Sequence, residues 1–349
     1  MKLAYSCLIT LANILAASAE DELTSQCLTP TVGDQGAEGN NTIASEAQMC
    51  SPGHSVQNDT EAWNQTGGFY YTNNGVNLFY TIEGSGDPIV LIHGWTCDQS
   101  DWMFQVPFLL DNGFQVITID QRGHGRSSAP EPAIYSQDSP YSYDPVTLAD
   151  DAAALLEYLR VGNGTERGAA IVMGHSLGGV VASELAFRNP RLVKALVLVD
   201  SAYYTPVSEG ALAIEMLKNS PAATASEIAG TIIDSIESTV TQRPPWMRVW
   251  RMHRVWGMSG YIVTAVLEQL SDFLGQWNST AEYRTERKGV PKLVTVAAQS
   301  SADFEREVGL AEEDRVEVLG GGHWHFQINA TRFNSIVEEW FTVRGYIEG

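Results

Sequence analysis

Ala169-Ala170-Ile171-Val172-Met173-Gly174-His175-Ser176-Leu177-Gly178-Gly179-Val180-Val181 decides the fold. Its first half is a short, continuous apolar run of the kind that forms a strand buried on both faces. A helix-like stretch, 178–188, follows with almost no intervening loop. Between the two lies Gly-x-Ser-x-Gly, and in this context the serine sits on a strand-to-helix turn so sharp that its hydroxyl stands proud of the sheet. The flanking glycines fit such a turn, because side chains there would collide with neighbouring elements. A bare Gly-x-Ser-x-Gly is a weak pattern; in this setting it marks Ser176 as a nucleophile rather than part of an ordinary turn.

Outward from that point, further short Val/Ile/Leu-rich runs occur at 88–93, 114–120, 194–200, 292–298 and 315–319. Helix-like stretches at 146–159, 178–188 and 331–341 fall among and after them. Apolar strands alternating with helices imply an α/β fold, a mostly parallel central sheet with helices on both faces. Ahead of the sheet, 68–72 and 76–83 alternate around Asn73-Asn74-Gly75, a tight-hairpin signal because Asn and Gly accept positive φ. Between 203 and 288 the rhythm breaks into a helix-rich stretch longer than a crossover needs. It is expected to form a cap over the sheet edge where open α/β sheets bind ligands. The core is then 67–202 with 289–349.

The chain has 349 residues, 44% hydrophobic, enough for one large core. Its formal net charge of -21 repels phosphate backbones and anionic lipid, which argues against nucleic-acid partners and charge-driven membrane binding. At the N-terminus, Lys2, the apolar stretch 3–15 and Ala17-Ser18-Ala19 read as a signal peptide over 1–19. The apolar stretch is shorter than the ~20 residues a membrane span needs. Asn-x-Ser/Thr sequons at Asn40, Asn58, Asn64, Asn163, Asn278 and Asn329 fit a secreted, extracellular glycoprotein. Residues 20–66 are polar, lack Lys and Arg, and are expected to form an irregular extension bridged by Cys27 and Cys50, leaving Cys97 as a small buried thiol.

A serine hydroxyl needs a base, and the base needs a third group to orient it. His323, in Gly320-Gly321-Gly322-His323-Trp324 after the last expected strand, is the candidate, with His325 as its rival. The segments Leu91-Ile92-His93-Gly94-Trp95, Asp120-Gln121-Arg122-Gly123-His124-Gly125-Arg126-Ser127-Ser128, Gly174 to Gly179 and Gly322-His323-Trp324 together resemble the α/β-hydrolase superfamily, over about 68–345. The resemblance implies a serine hydrolase whose serine precedes its histidine in the chain. It also implies an oxyanion hole built from the amides of Trp95 and Leu177, while 120–128 serves as a structural loop bordering the pocket. The usual position of the acid, after the penultimate strand, holds Ser300, with Asp303 three residues late. Asp200, at the end of an earlier strand, resembles the position used by some haloalkane dehalogenases and by zearalenone-type lactonases. Asp200 is therefore the expected acid and Asp303 its alternative.

A serine nucleophile implies an acyl-enzyme from an ester, a lactone or, less often, a cleavable C–C bond or a peracid reaction. The substrate expected is a small, apolar ester or lactone, and no metal set or cofactor-binding loop appears in the sequence. A hydrolase-fold binding protein without turnover is the competing reading from another class. Within the cap, Pro244 to Trp256 carries Trp246, Trp250 and His253 on one helical face and Val249, Met252 and Trp256 on another. Trp246 and Trp250 are expected to form an aromatic wall for substrate, with the arginines facing outward. A cap helix packed on the core and an interfacial helix are the other readings of the same stretch.

Overall fold

The computed structural model describes residues 67–129, 142–204, 207–238, 240, 243–276 and 289–348. The signal peptide, the extension with Cys27 and Cys50, and the sequons at Asn40, Asn58, Asn64 and Asn278 lie outside the described residues. In chain order the elements are β1 (Gly67–Asn73), β2 (Val76–Glu83), β3 (Pro88–Ile92), α1 (Gln105–Asp111), β4 (Gln115–Ile119), α2 (Pro145–Tyr158), β5 (Ala170–His175) and α3 (Leu177–Arg188). They continue with β6 (Val193–Val199), α4 (Val207–Lys218), α5 (Ala222–Ile236), α6 (Pro245–Gly257), α7 (Gly260–Gly275), β7 (Lys292–Val296), α8 (Gln299–Val308), β8 (Arg315–Val318), α9 (His325–Ile328) and α10 (Ala330–Val343).

The strands form one sheet in the order β1-β2-β4-β3-β5-β6-β7-β8. The β1–β2 hairpin and the β2–β4 pair are antiparallel, and every later pair is parallel. Asn74 (φ 47°) and Gly75 (φ 81°) make the hairpin turn, as the Asn-Gly signal requires. Every residue of β3, β4, β5 and β7 is buried, so both faces of the parallel strands are covered. The pairs α2–α3 and α1–α10 supply much of that cover, and Phe114 before β4 packs its ring 5.3 Å from Phe341 of α10.

Topology places the site. From β3 the chain moves outward to β4, then returns past β3 to β5 and proceeds the other way. The order reverses between β3 and β5, and ligands of open α/β sheets bind in the crevice at such a reversal. The segments carrying Trp95 and Ser176 leave the sheet on either side of this crevice.

Several strands end earlier than the apolar runs suggest. His93, Asp200, Ala297 and Ala298 leave the ladder because the backbone turns there into loops; Asp200 does so at φ 40°. Two helices are not visible as periodic runs. In α1, Pro107 and a Phe104 cap without a side-chain bond blur the pattern. In α8, Ser300 and Ser301 look like loop, yet Ala302, Glu305 and Val308 share a buried face. The cap forms α4 to α7, and its 277–288 segment lies outside the described residues. Of the remaining sequons, Asn163 is exposed, whereas Asn329 is half-buried with its amide directed at the Gly320 carbonyl.

Candidate active site

Ser176 adopts φ 54° and ψ -117°, a conformation that costs about 1–3 kcal/mol for a residue with a side chain. Its amide donates to the Val199 carbonyl at 3.0 Å, and its carbonyl accepts from the amides of Gly179 (3.0 Å) and Ala202 (3.1 Å). The turn is thus held by β6 as well as by its own helix. The two pattern glycines are sterically forced. A Cβ at Gly174 would lie 2.1 Å from the Gly178 oxygen, and one at Gly178 would lie 2.2 Å from the Ile92 oxygen.

Leu177 opens α3, so its amide has no acceptor within the helix and sits at the positive end of the helix dipole. Across the crevice, a Cβ on Gly94 would stand 3.1 Å from the Ser176 Cβ, so the loop bearing Trp95 lies directly against Ser176. That loop is braced from below. His93 Nε2 accepts the Gln121 amide at 3.0 Å, which leaves Nδ1–H to donate to the Gly94 carbonyl at 2.8 Å. Asp120 accepts the amides of Gln99 (2.8 Å) and Arg126 (2.9 Å), so the 120–128 loop is a structural brace of the loop that begins at Trp95. From above, the Trp95 indole donates to the Val263 carbonyl of α7 at 3.0 Å.

His323 Nδ1 lies 2.7 Å from Asp200 Oδ2, and Asp200 Oδ1 accepts the Ala297 amide at 3.0 Å. Burial alone would raise the Asp200 carboxyl's pKa, but the hydrogen bond and charge of His323, together with the Ala297 amide, hold it below the usual carboxylate range. An ionised carboxylate only accepts, so Nδ1 carries the proton and Nε2 is left with its lone pair. The His323 carbonyl accepts His175 Nε2–H at 3.0 Å, and the two rings lie 4.6 Å apart. Because His175 immediately precedes Ser176, this contact ties the loop bearing His323 to the Ser176 turn.

The two rivals are elsewhere. His325 is fully buried, its Nε2 meets Thr295 Oγ1 at 3.0 Å, and burial pushes its pKa down to about 4. Asp303 is exposed and bonded to Gln299 and Arg306, both at 2.8 Å. Trp246 is 46% exposed on the outer side of α6. Trp250 is half-buried, 6.0 Å from Trp246 by ring centroids, with the Arg254 guanidinium 3.8 Å over its ring.

The expectation that the cap arginines face outward is corrected for two of them. Arg251 is buried and pairs with Glu237, and Arg254 pairs with Asp101 at 2.5 Å. Buried acids on the inner side supply ionised partners, and the long side chains reach them while the tryptophans stay near the surface. Arg248 alone of the three is exposed, paired with Asp234 at 2.5 Å. This inner network was not visible in the sequence, because Asp101 and Arg254 stand 153 positions apart.

Among the described residues, Cys97, Asp101 and His175 form one buried group with metal-ligand atoms within 4.8 Å of one another. Arg254 already supplies the cation there, and burial first of all pushes the Cys97 thiol's pKa up. A metal would have to displace a guanidinium and deprotonate that thiol.

Residues 89–334 match the sequence profile of the alpha/beta hydrolase family. The chain is 40% identical over 133 residues to a non-heme chloroperoxidase of Streptomyces lividans, covering 37% of this chain and 43% of the relative. It is 35% identical over 135 residues to a bifunctional esterase/perhydrolase of Acinetobacter calcoaceticus, covering 38% and 44%. These matches span less than half the length of either relative. Among solved structures, an enol-lactonase from Burkholderia xenovorans superposes with a TM-score of 0.63 at 20% identity, covering 78% of this chain and 99% of that one. At that identity the likeness is one of fold.

Proposed function

The chain belongs to the alpha/beta hydrolase family, and from that premise we propose that it hydrolyses a carboxylic ester or lactone through an acyl-enzyme on Ser176. His323 Nε2 removes the Ser176 proton as the hydroxyl attacks the carbonyl carbon. Asp200 holds the imidazole in the Nδ1–H tautomer and offsets the positive charge it acquires. The Trp95 and Leu177 amides stabilise the oxyanion, an effect of a few kcal/mol when the donors are preorganised. His323 then gives its proton to the leaving oxygen, and water, activated by the same base, releases the acid. The observation that carries this reading is the 2.7 Å contact between His323 Nδ1 and Asp200 Oδ2, on a loop tied to the residue before Ser176. No metal or cofactor is needed for any step, and the substrate proposed is a small, apolar ester or lactone.

The test is Ser176→Ala with p-nitrophenyl esters and a panel of lactones. Turnover should vanish while the melting temperature stays within a few degrees of wild type; activity retained in that variant refutes the assignment. Reaction with a fluorophosphonate separates this reading from a binding protein of the same fold, since only an activated serine is phosphonylated. A second reading, perhydrolysis, is favoured by the esterase/perhydrolase relative. In it the same acyl-enzyme passes its acyl group to hydrogen peroxide, and peracid formation at Ser176 is the readout. Secretion is also proposed, on the N-terminal pattern and the sequons, and is tested by finding N-glycosylated protein in the culture medium.

A further inference from the structure

Asp101 is fully buried and has partners on the cap, beside His323 and beside Ser176. It lies in the loop that begins with Trp95. Its Oδ1 accepts from Arg254 of the cap helix α6 at 2.5 Å, and its Oδ2 accepts the indole N–H of Trp324, the neighbour of His323, at 3.2 Å. Its backbone carbonyl accepts from Gln327 at 2.8 Å, and Oδ2 stands 3.9 Å from Nδ1 of His175, the neighbour of Ser176. A second cap arginine completes the knot. Arg251 lies 4.1 Å over the Trp324 ring and donates to Gln327 Oε1 at 2.9 Å.

We propose that Asp101 is a positioning residue that sets the oxyanion loop, the nucleophile turn and the histidine loop in register, with Arg254 coupling that register to the cap. It touches no reacting atom. The argument is geometric and electrostatic. Arg254, on the cap, has a carboxylate partner in Asp101 and a weaker one at 3.4 Å in Asp98. Both acids belong to the oxyanion loop, so a displaced cap helix would drag that loop or leave a buried charge unpaired, which low-dielectric surroundings make costly. Salt does not screen a buried pair as it does a surface one, so the coupling persists at high ionic strength.

This inference rests on the reading of Ser176 as nucleophile, and its test keeps the two apart. Sites are counted by exhaustive fluorophosphonate labelling, and kcat per site and KM are measured for Asp101→Asn and for Asp101→Asn combined with Arg254→Met. Asp101→Asn should lower kcat per site tenfold or more with KM within threefold, and should lower the melting temperature. The double variant has no unpaired buried arginine, so its melting temperature should recover while kcat stays low. Recovery of kcat along with stability would overturn the proposal, because Asp101 would then be only a charge partner. If neither variant folds, Arg254→Lys carries the test, since it keeps the charge but not the guanidinium geometry. A fivefold loss of kcat at unchanged KM supports the coupling, and an unchanged kcat overturns it. A wild type that neither labels nor turns over removes the proposed function and this inference together; an active wild type with an unaffected Asp101→Asn removes only this one.

Discussion

Replacing Asp200 by Asn keeps the shape of the side chain and removes its charge. The carboxylate now accepts two hydrogen bonds, 2.7 Å from His323 and 3.0 Å from the Ala297 amide. An Asn has one accepting oxygen. Kept on the Ala297 amide, it turns its NH2 group toward His323 Nδ1, which must then accept, so the ring proton moves to Nε2 and the base is occupied. Turned the other way, it sets an N–H against the Ala297 N–H. Losing a charge-assisted bond costs about 1.5–3 kcal/mol, and the wrong tautomer adds to it, so a loss of kcat of about 10³–10⁴-fold is expected, equivalent to roughly 4–5.5 kcal/mol. Asp303→Asn is the control, because that carboxylate is exposed and is bonded to Gln299 and Arg306. The assay is turnover of p-nitrophenyl acetate together with the second-order rate of fluorophosphonate inactivation. Asp200→Asn within tenfold of wild type, or an Asp303→Asn equally impaired, would refute the reasoning.

Gly178→Ala would press a methyl to 2.2 Å from the Ile92 oxygen and 2.6 Å from the His93 oxygen, both backbone. Overpacking against backbone costs about 1–3 kcal/mol, so a fall in melting temperature of several degrees by calorimetry is expected, and an unchanged value contradicts the packing described. The buried histidines His124 and His325 are held neutral, burial pushing their pKa values down to about 3 and about 4, and His175 is lowered in the same way. The unfolded chain takes up those protons near pH 6.5, so their contribution is complete above that pH and is lost as the pH falls toward the folded values. Each can cost up to about 1.4 kcal/mol per pH unit in that window. The melting temperature should therefore drop between pH 7 and pH 5, before the lowered carboxyls of Asp101 and Asp200 begin to titrate; a flat profile would show that these rings are not buried neutral.

Much of the fold was legible because short-range rules governed it. The Asn74-Gly75 turn, the apolar runs and the strand–serine–helix junction each carry their own steric reason within a few residues. Asp200 could be placed at a strand end from the sequence, but its contact with a histidine 123 positions away is a property of the sheet order, in which β8, whose following loop carries His323, lies two strands from β6. The cap was read least well. Its aromatic residues suggested an inward apolar face, yet the buried face of α6 is Met247, Arg251, Met252 and Val255. Nothing local marks Arg251 as buried, since its partners Glu237 and Gln327 come from different elements. Asp101 was missed for the same reason.

The most direct measurement is intact-protein and peptide mass spectrometry after brief exposure to a slowly deacylating ester. One acyl group per chain, carried by the peptide containing Ser176 and absent from Ser176→Ala, is the result that nucleophilic catalysis at this turn requires. Turnover of the ester with Ser176 unmodified, or an adduct on another residue, would contradict it.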